Sequence, residues 1–155
     1  MHDFNIIHLL VAFYILIILY SVIRQRRIKK RIINLTNNAL ELTPAQFQKL
    51  KSERAGRKQI INSYDCPGVY ILYNKTKNMY YVGQGKKVIN RVSQHFTGHG
   101  NGDVYADWKY GNDFTIRIIK LEGSGFGTLN ALERNTIATY NAFSKGYNKT
   151  RGNKG

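Results

Sequence analysis

The chain has 155 residues, with 24 Lys and Arg against 9 Asp and Glu, and a formal net charge of +15. This length allows one small domain with appended segments. The charge favours a polyanionic partner, either nucleic acid or anionic lipid, although a generally basic soluble surface would carry the same charge. The single cysteine, Cys66, excludes an intramolecular disulfide and a metal site built on cysteines. We expect Cys66 to be a small buried apolar side chain rather than a nucleophile.

The N-terminal segment is apolar. Residues 4–23 form a run of about twenty residues, the length at which a helix spans the roughly 30 Å hydrocarbon core of a bilayer. Six Lys or Arg side chains follow directly in residues 24–31, and none precedes the run. By the positive-inside rule this predicts a single transmembrane helix, residues 1–23, in the cell's inner (cytoplasmic) membrane, with the remaining chain in the cytoplasm. The cations would lie on anionic headgroups; a nucleic-acid-binding tail is the alternative.

Residues 24–58 are predicted to be a basic juxtamembrane segment followed by a helical linker. Thr43-Pro44-Ala45-Gln46 is a capping-box pattern with proline at the first helical position. Phe47 and Leu50 give this helix only a narrow apolar face. We therefore predict a solvated spacer that is also available for contact with DNA.

The globular pattern begins at residue 59 and continues to residue 155. Apolar and aromatic runs over 69–73 and 79–82 flank a polar turn, which predicts a β-hairpin. Helical spacing follows over 87–96, 104–110 and 128–143, and a central strand is predicted over 114–121. The order β-β-α-α-β-α predicts an α/β (α+β) sandwich: a small three-stranded, mainly antiparallel sheet flanked by helices.

Two short strings and four isolated side chains stand out in this region. Gly68-Val69-Tyr70 is followed, with ten residues between its tyrosine and the next, by Tyr81-Val82-Gly83. The further polar residues are Arg91, His95, Glu133 and Asn148. With these residues in this order, the chain resembles the GIY-YIG nuclease family over roughly residues 64–150. Valine replaces the isoleucine of the family name in both strings, a change between β-branched residues that should preserve packing.

The resemblance implies hydrolysis of a phosphodiester bond with one divalent cation, Mg²⁺ or Mn²⁺, held by Glu133 as the sole protein ligand. It implies that Tyr70 is the general base and that Tyr81 orients the water or the phosphate. Arg91 would hold the scissile phosphate with its planar guanidinium. His95, one turn later, would take or relay the proton from Tyr70. Taken singly, Glu133 is better explained as a surface charge on an amphipathic helix, Arg91 is equally well explained as an exposed basic helix residue, and ordinary strand packing accounts for the tyrosines.

Asn148 is the sixth expected catalytic residue, and we expect it to tether the site through a neutral hydrogen bond. His95 and His99 are four residues apart, but no third ligand is evident, so zinc is not expected. Glycines would allow a tight backbone turn beside a phosphate, and cations would contact phosphates without reading sequence. On these grounds the expected nucleic-acid contacts are Gly83, Gly85, Lys86, Lys87, Lys109, Lys149 and Arg151. Each cation is equally compatible with a solvated surface.

These expectations combine into a membrane-anchored, metal-dependent endonuclease that hydrolyses DNA with low sequence specificity and acts on foreign DNA entering the cell. We expect no small-molecule cofactor, and a homodimer is compatible with double-strand cleavage. Two alternatives remain open. One is a non-catalytic membrane tether that binds DNA, and the other is an exported nuclease toxin with the opposite orientation.

Overall fold

The computed structural model describes residues 2–153, with side chains from residue 6 onward. Met1 of the predicted transmembrane segment, and residues 154 and 155 of the predicted nuclease domain, lie outside the described residues. The elements are α1 His2–Asn37, β1 Glu41–Leu42, α2 Pro44–Ser52, α3 Arg54–Tyr64, β2 Gly68–Asn74, β3 Met79–Gly85, α4 Val88–Phe96, α5 Gly102–Lys109, β4 Phe114–Lys120 and α6 Leu129–Thr139.

One antiparallel sheet has the strand order β1-β4-β2-β3. The predicted α+β sandwich is confirmed, but the predicted count of three strands is wrong. The fourth strand, β1, has two residues and pairs Leu42 with Ile116 of β4. So short a strand shows no alternation of apolar and polar residues, which is the pattern that predicts strands. At the other edge β3 is the outer strand, paired only with β2.

The two faces of the sheet carry different helices. Residues that pair across neighbouring strands point to the same face. Tyr70 pairs with Gly83 on β3 and with Ile118 on β4, so these three share one face. The core on that face is completed by α2 to α5. Val69 and Gln84 lie on the opposite face, where α1 and α6 pack.

The segment predicted as a solvated spacer is instead part of the fold. Within this segment, residues 34–58, Thr36 of α1 is 3% exposed and Phe47 of α2 is 0% exposed, and Ile32 just before it is also fully buried. Arg117 Nη1 donates a 2.7 Å hydrogen bond to the carbonyl oxygen of Thr36. The predicted capping box is present: the hydroxyl of Thr43 accepts from the backbone N–H of Gln46, whose side chain accepts in return. The spacer interpretation is therefore wrong, and the positions of the domain boundaries stay a prediction.

Two local expectations also differ. Cys66 is half-buried rather than buried, and burial raises the pKa of its thiol. The helix predicted over 128–143 ends at Thr139, because Asn141 has a φ of 52°, in the left-handed region that interrupts a helix.

The N-terminal part of α1 projects away from this fold. Every large apolar side chain from Ile6 to Ile23 is exposed. Among the described residues, Ile6–Asn37 is the one helical segment long and apolar enough to cross a membrane. A signal sequence near the N-terminus meets the same criterion, so the helix suggests membrane association by length and composition alone.

Candidate active site

The phenol of Tyr70 lies over the backbone of Gly83. A Cβ atom at Gly83 would be 2.3 Å from the Tyr70 hydroxyl oxygen, and one at Gly85 would be 2.9 Å from Cγ of Arg91. Both glycines lie within β3, and neither has a positive φ. The expected tight turn is therefore wrong: these glycines make room for the side chains of Tyr70 and Arg91. Their contact with nucleic acid stays a prediction.

His95 on α4 is held at both ring nitrogens. Its Nε2 lies 2.9 Å from the hydroxyl oxygen of Tyr70, and its Nδ1 accepts a 3.0 Å hydrogen bond from the backbone N–H of Asn101. A backbone N–H only donates, so Nδ1 is the acceptor and the neutral ring carries its proton on Nε2. His95 therefore donates to Tyr70. The expected relay requires a lone pair on Nε2 that can take a proton from Tyr70. In this tautomer Nε2 carries a hydrogen and has no such lone pair.

The second tyrosine of the site, Tyr81, packs beside Tyr70 and His95. Its ring centroid lies 6.1 Å from that of Tyr70. The same ring lies 4.6 Å from the centroid of the His95 ring, so the three rings form one cluster. Tyr70 is 0% exposed, whereas Tyr81 is partly exposed. Among these three rings, Tyr81 is therefore the one closest to solvent.

Burial dominates the electrostatics of the three groups. It raises the pKa of Tyr70, with a smaller contribution from Tyr81, while the guanidinium of Arg91 opposes the rise. It also raises the pKa of Tyr81. Burial, followed by the charge of Arg91, lowers the pKa of His95 to about 4. The imidazole is therefore neutral at pH 7, in agreement with its hydrogen bonds.

Arg91 precedes His95 by one helical turn on α4. Its side chain is exposed, and Nη1 donates a 2.7 Å hydrogen bond to Oε1 of Gln94. It has no acidic partner among the described residues. An exposed guanidinium without a counterion, whose charge reaches both phenols, can receive an anion such as a phosphate.

Glu133 lies on α6, on the opposite face of the sheet from Tyr70, and is 7% exposed. Its Oε2 accepts from Gln84 Nε2 at 3.0 Å and from the backbone N–H of Asn153 at 3.3 Å. Gln84 Nε2 also donates to Oδ1 of Asn130 at 2.7 Å. Burial raises the pKa of Glu133, and its charge in turn raises the pKa of Tyr70. The carboxylate thus acts electrostatically on the phenols across the outer strand.

The carboxylate of Glu133 and its surroundings fit a hard divalent cation. Among the described residues no hydrogen bond reaches its second oxygen, Oε1, and the groups that donate to Oε2 are neutral amides, so the carboxylate is the single charged group of this hydrogen-bonded cluster. One carboxylate suits Mg²⁺ or Mn²⁺, since such ions retain several waters. The described residues contain no group of three His, Cys, Asp or Glu that could hold a metal.

Asn148 contacts the outer strand rather than the phenols. Its Oδ1 accepts from the Val82 N–H at 2.8 Å, and its Nδ2 donates to the Val82 carbonyl at 2.7 Å. The backbone N–H of Tyr147 donates to the carbonyl of Tyr80 at 2.9 Å. The segment containing Asn148 therefore occupies the free edge of β3, where a further strand would pair. It positions Tyr81 and Gly83, which flank Val82, as the expected tether would.

The five cations expected to contact nucleic acid are all exposed. Lys86 and Lys87 join β3 to α4 and so lie between the elements that carry Tyr81 and Arg91. Lys149 pairs with Asp103 at 2.5 Å. The other two lie near aromatic rings: Lys109 is 5.8 Å from the ring centroids of Tyr105 and Trp108, and Arg151 is 5.4 Å from that of Phe143. Their contact with nucleic acid stays a prediction.

Sequence reasoning missed two residues of this site, Gln84 and Asn101. The signal for Gln84 was available, because β-strand alternation places it opposite to Tyr81 and Gly83, toward a different helix. Asn101 acts through its backbone N–H and also caps α5 with its side chain, which accepts from the N–H of Val104. The sequence of side chains does not indicate which backbone N–H will donate to His95.

The fold and this arrangement of phenols, guanidinium and carboxylate are compatible with a catalytic domain of the nuclease type. The family model of the GIY-YIG catalytic domain matches residues 66–148, more than half of the chain. The chain therefore belongs to the GIY-YIG family. Searches of curated proteins and of solved structures found no match.

Proposed function

We propose that this protein is an endonuclease that hydrolyses DNA phosphodiester bonds with low sequence specificity and requires one divalent cation, Mg²⁺ or Mn²⁺, at Glu133. We further propose that α1 anchors it in the inner membrane with the nuclease domain in the cytoplasm, where it acts on foreign DNA entering the cell. The observation that carries the nuclease proposal is the hydrogen bond between His95 and Tyr70, with Tyr81 packed beside both rings and the charges of Arg91 and Glu133 acting on the two phenols.

Tyr70 is the general base in this proposal, and Tyr81 connects it to the attacking water. As the water attacks phosphorus, its proton passes to the oxygen of Tyr81, and the proton of Tyr81 passes to the phenolate of Tyr70. His95 Nε2–H stabilises that phenolate by donating to it, since its tautomer is fixed by Asn101. This arrangement accounts for the burial of Tyr70, because the base need not touch the water itself.

Arg91 binds the scissile phosphate and stabilises the negative charge that grows on its oxygens in the transition state. A divalent cation held by Glu133 would supply further charge neutralisation at the phosphate and the leaving oxygen. Gln84 orients the carboxylate. The bond from phosphorus to the 3′ oxygen breaks, and the leaving oxygen takes a proton from solvent water, which gives 5′-phosphate and 3′-hydroxyl ends, as the family membership implies.

Low specificity and membrane location have separate support. The exposed cations Lys86 and Lys87 are suited to phosphates, which carry no sequence information. The exposed apolar side chains of α1 from Ile6 to Ile23 need a nonaqueous environment, and the cations of residues 24–31 favour a cytoplasmic domain.

The test is cleavage of plasmid and single-stranded DNA by the full chain in detergent, with Mg²⁺, Mn²⁺ or EDTA. The variant Glu133→Ala removes the cation ligand, and Glu122→Ala, an exposed acidic residue in the loop before α6, is the matched control. We expect metal-dependent cutting that Glu133→Ala abolishes and Glu122→Ala retains. Salt-sensitive DNA binding without cutting in all three proteins would replace the nuclease with the DNA tether.

Location is tested separately in cells. Protease added outside intact cells should not reach the nuclease domain, whereas a toxin in the opposite orientation would be digested. A chain that starts at Arg24 keeps the buried Ile32 and removes only the apolar run. If this truncated chain acts on foreign DNA as well as the full chain does, the anchor has no part in the function.

A further inference from the structure

An open groove of about 800 Å³ separates the basic part of α1 from α6 and the loop that precedes it. One wall carries three arginines, Arg24, Arg27 and Arg31. Spacings of three and four residues place all three on one face of the helix. The opposite wall is formed by the 125–127 loop and by the first turns of α6.

None of these three guanidinium groups has an acidic partner among the described residues. Neither Arg24 nor Arg27 makes an ion pair or hydrogen bond to the described residues. Arg31 Nη1 donates only to the carbonyl of Gly125, at 3.3 Å. A Cβ at Gly125, whose φ is +77°, would be 2.4 Å from that nitrogen, so glycine permits the contact. The groove thus presents many unused N–H donors and three positive charges to an anion.

The groove begins at the level of Tyr20 and Ile23, in the last turn of the apolar run. The helix is continuous there, with a rise of about 1.5 Å per residue. Arg24 therefore lies about 1.5 Å, Arg27 about 6 Å and Arg31 about 12 Å beyond Ile23 along the axis. A bilayer's headgroup layer is roughly 5–8 Å thick on each side of its core. The first two arginines fall within this layer, and the third lies about 4 Å beyond its outer limit.

We propose that this groove binds the headgroup of an anionic phospholipid, whose phosphate lies between the arginines and whose acyl chains follow the apolar surface of α1 into the bilayer. The proposal rests on the proposed membrane anchoring of α1 and adds to it a defined lipid site. Ile28 and Phe126 line the groove and supply apolar contact beside the phosphate. A bound lipid would join α1 to the loop before α6, and so fix the orientation of the nuclease domain on the membrane.

Nucleic acid fits this groove less well. The groove lies on the face of the sheet covered by α1 and α6, whereas the hydroxyls of Tyr70 and Tyr81 lie on the other face. A strand held by Arg24 and Arg27 would also run along the helix at headgroup level, against anionic lipid. The position of the groove at the end of an apolar span therefore favours lipid over DNA.

The test is native mass spectrometry of the full chain in detergent, titrated with phosphatidylglycerol or phosphatidylcholine. The groove variant replaces by glutamine the three arginines of the groove face: Arg24, Arg27 and Arg31. The control variant removes the same charge from the opposite face of the same stretch: Arg26, Lys29 and Lys30. We expect the chain to bind phosphatidylglycerol at least tenfold more tightly than phosphatidylcholine, with at least a tenfold loss in the groove variant and less than twofold in the control.

A second variant, Ala131→Trp, fills the groove without changing its charge and should lose binding by a similar factor. Equal losses in the groove and control variants, or no preference for the anionic lipid, would overturn the proposal. So would displacement of the lipid by a single-stranded oligonucleotide, which would indicate a nucleic-acid groove, or by inorganic phosphate at equal concentration.

Two parallel measurements separate this proposal from the proposed function. DNA cleavage in detergent should be unchanged in both glutamine variants, since none of these residues belongs to the catalytic arrangement. Alkaline carbonate extraction of membranes reports the anchor alone. If the protein resists extraction but shows no lipid preference, the lipid site is refuted and the membrane anchor stands. If the protein is extracted, both the anchor and the lipid site are refuted.

Discussion

Gly83 lies in the outer strand β3, and the ring of Tyr70 should leave no room for a side chain there. The substitution Gly83→Ala tests this requirement. The added Cβ would lie 2.3 Å from the hydroxyl oxygen of Tyr70 and 2.4 Å from Cζ, whereas ordinary contact begins at 3.4 Å. The phenol must therefore move by about 1 Å. The Tyr70 hydroxyl oxygen lies 2.9 Å from His95 Nε2. A shift of about 1 Å along this direction would take that distance outside the range of roughly 2.7–3.2 Å in which such hydrogen bonds form.

We expect a loss of about 1–3 kcal/mol from overpacking a fully buried ring, and about 1 kcal/mol more from the strained hydrogen bond. The free energy of unfolding should therefore fall by about 2–4 kcal/mol. Because the base is displaced, the cleavage rate should fall by at least about 100-fold, the lower end of what a positioned base contributes. Denaturant unfolding and single-turnover DNA cleavage measure the two effects.

Gly102→Ala is the control, since nothing lies within 4 Å of its added Cβ. It should leave both measurements unchanged. In a Tyr70→Leu background, where the ring is absent, Gly83→Ala should destabilise the protein much less than in the wild type. Cleavage by Gly83→Ala within threefold of the wild-type rate would refute the assignment of the base, because its hydroxyl would then tolerate displacement.

Four further outcomes are expected. Burial raises the pKa of Tyr70, so cleavage should rise about tenfold per pH unit from pH 7 to 9, and pH-independent rates would contradict this. The pKa of His95 in the folded protein, about 4, lies below its ordinary value of 6.5. The free energy of unfolding should therefore fall by about 3 kcal/mol as the pH drops from 6.5 to 4, at 1.36 kcal/mol per pKa unit. In denaturant unfolding, His95→Gln should flatten that pH dependence. Gln84→Leu should raise the Mg²⁺ concentration for half-maximal cleavage by about 10- to 100-fold, because Glu133 loses an orienting hydrogen bond. Asn148→Ala should lower the free energy of unfolding by about 1–3 kcal/mol, since it leaves two backbone groups of β3 unpaired.

The parts of the fold predictable from sequence are those specified by neighbouring residues. The hairpin of β2 and β3 follows from β-branched and aromatic runs around a polar turn. The capping box at Thr43 follows from a four-residue pattern. Strand β1 and the docking of Ile32 were missed for the opposite reason, because a two-residue strand has no period and a single buried isoleucine is inconspicuous among cations.

For the candidate site, too, the sequence predicted the residues but not the contacts that hold them. Arg91, His95 and Glu133 were found because residue type and order carry the signal. What the sequence did not predict is how these groups are held: the tautomer of His95 depends on a backbone N–H six residues later, and the orientation of Glu133 on an amide 49 residues earlier. The turn expected at Gly83 failed similarly, since a glycine that permits a turn and one that accommodates a neighbouring ring look alike in sequence.

The outer position of β3 explains why the site forms there. An edge strand has one free row of backbone groups and two accessible faces. In this protein Asn148 covers the free row at Val82, the phenol of Tyr81 extends from one face, and Gln84 meets Glu133 on the other. A phosphodiester at the end of β3 would therefore meet the base from one face and the carboxylate from the other. The second face also carries α1, so the helix proposed to enter the membrane packs on the same layer as the helix of the proposed cation ligand.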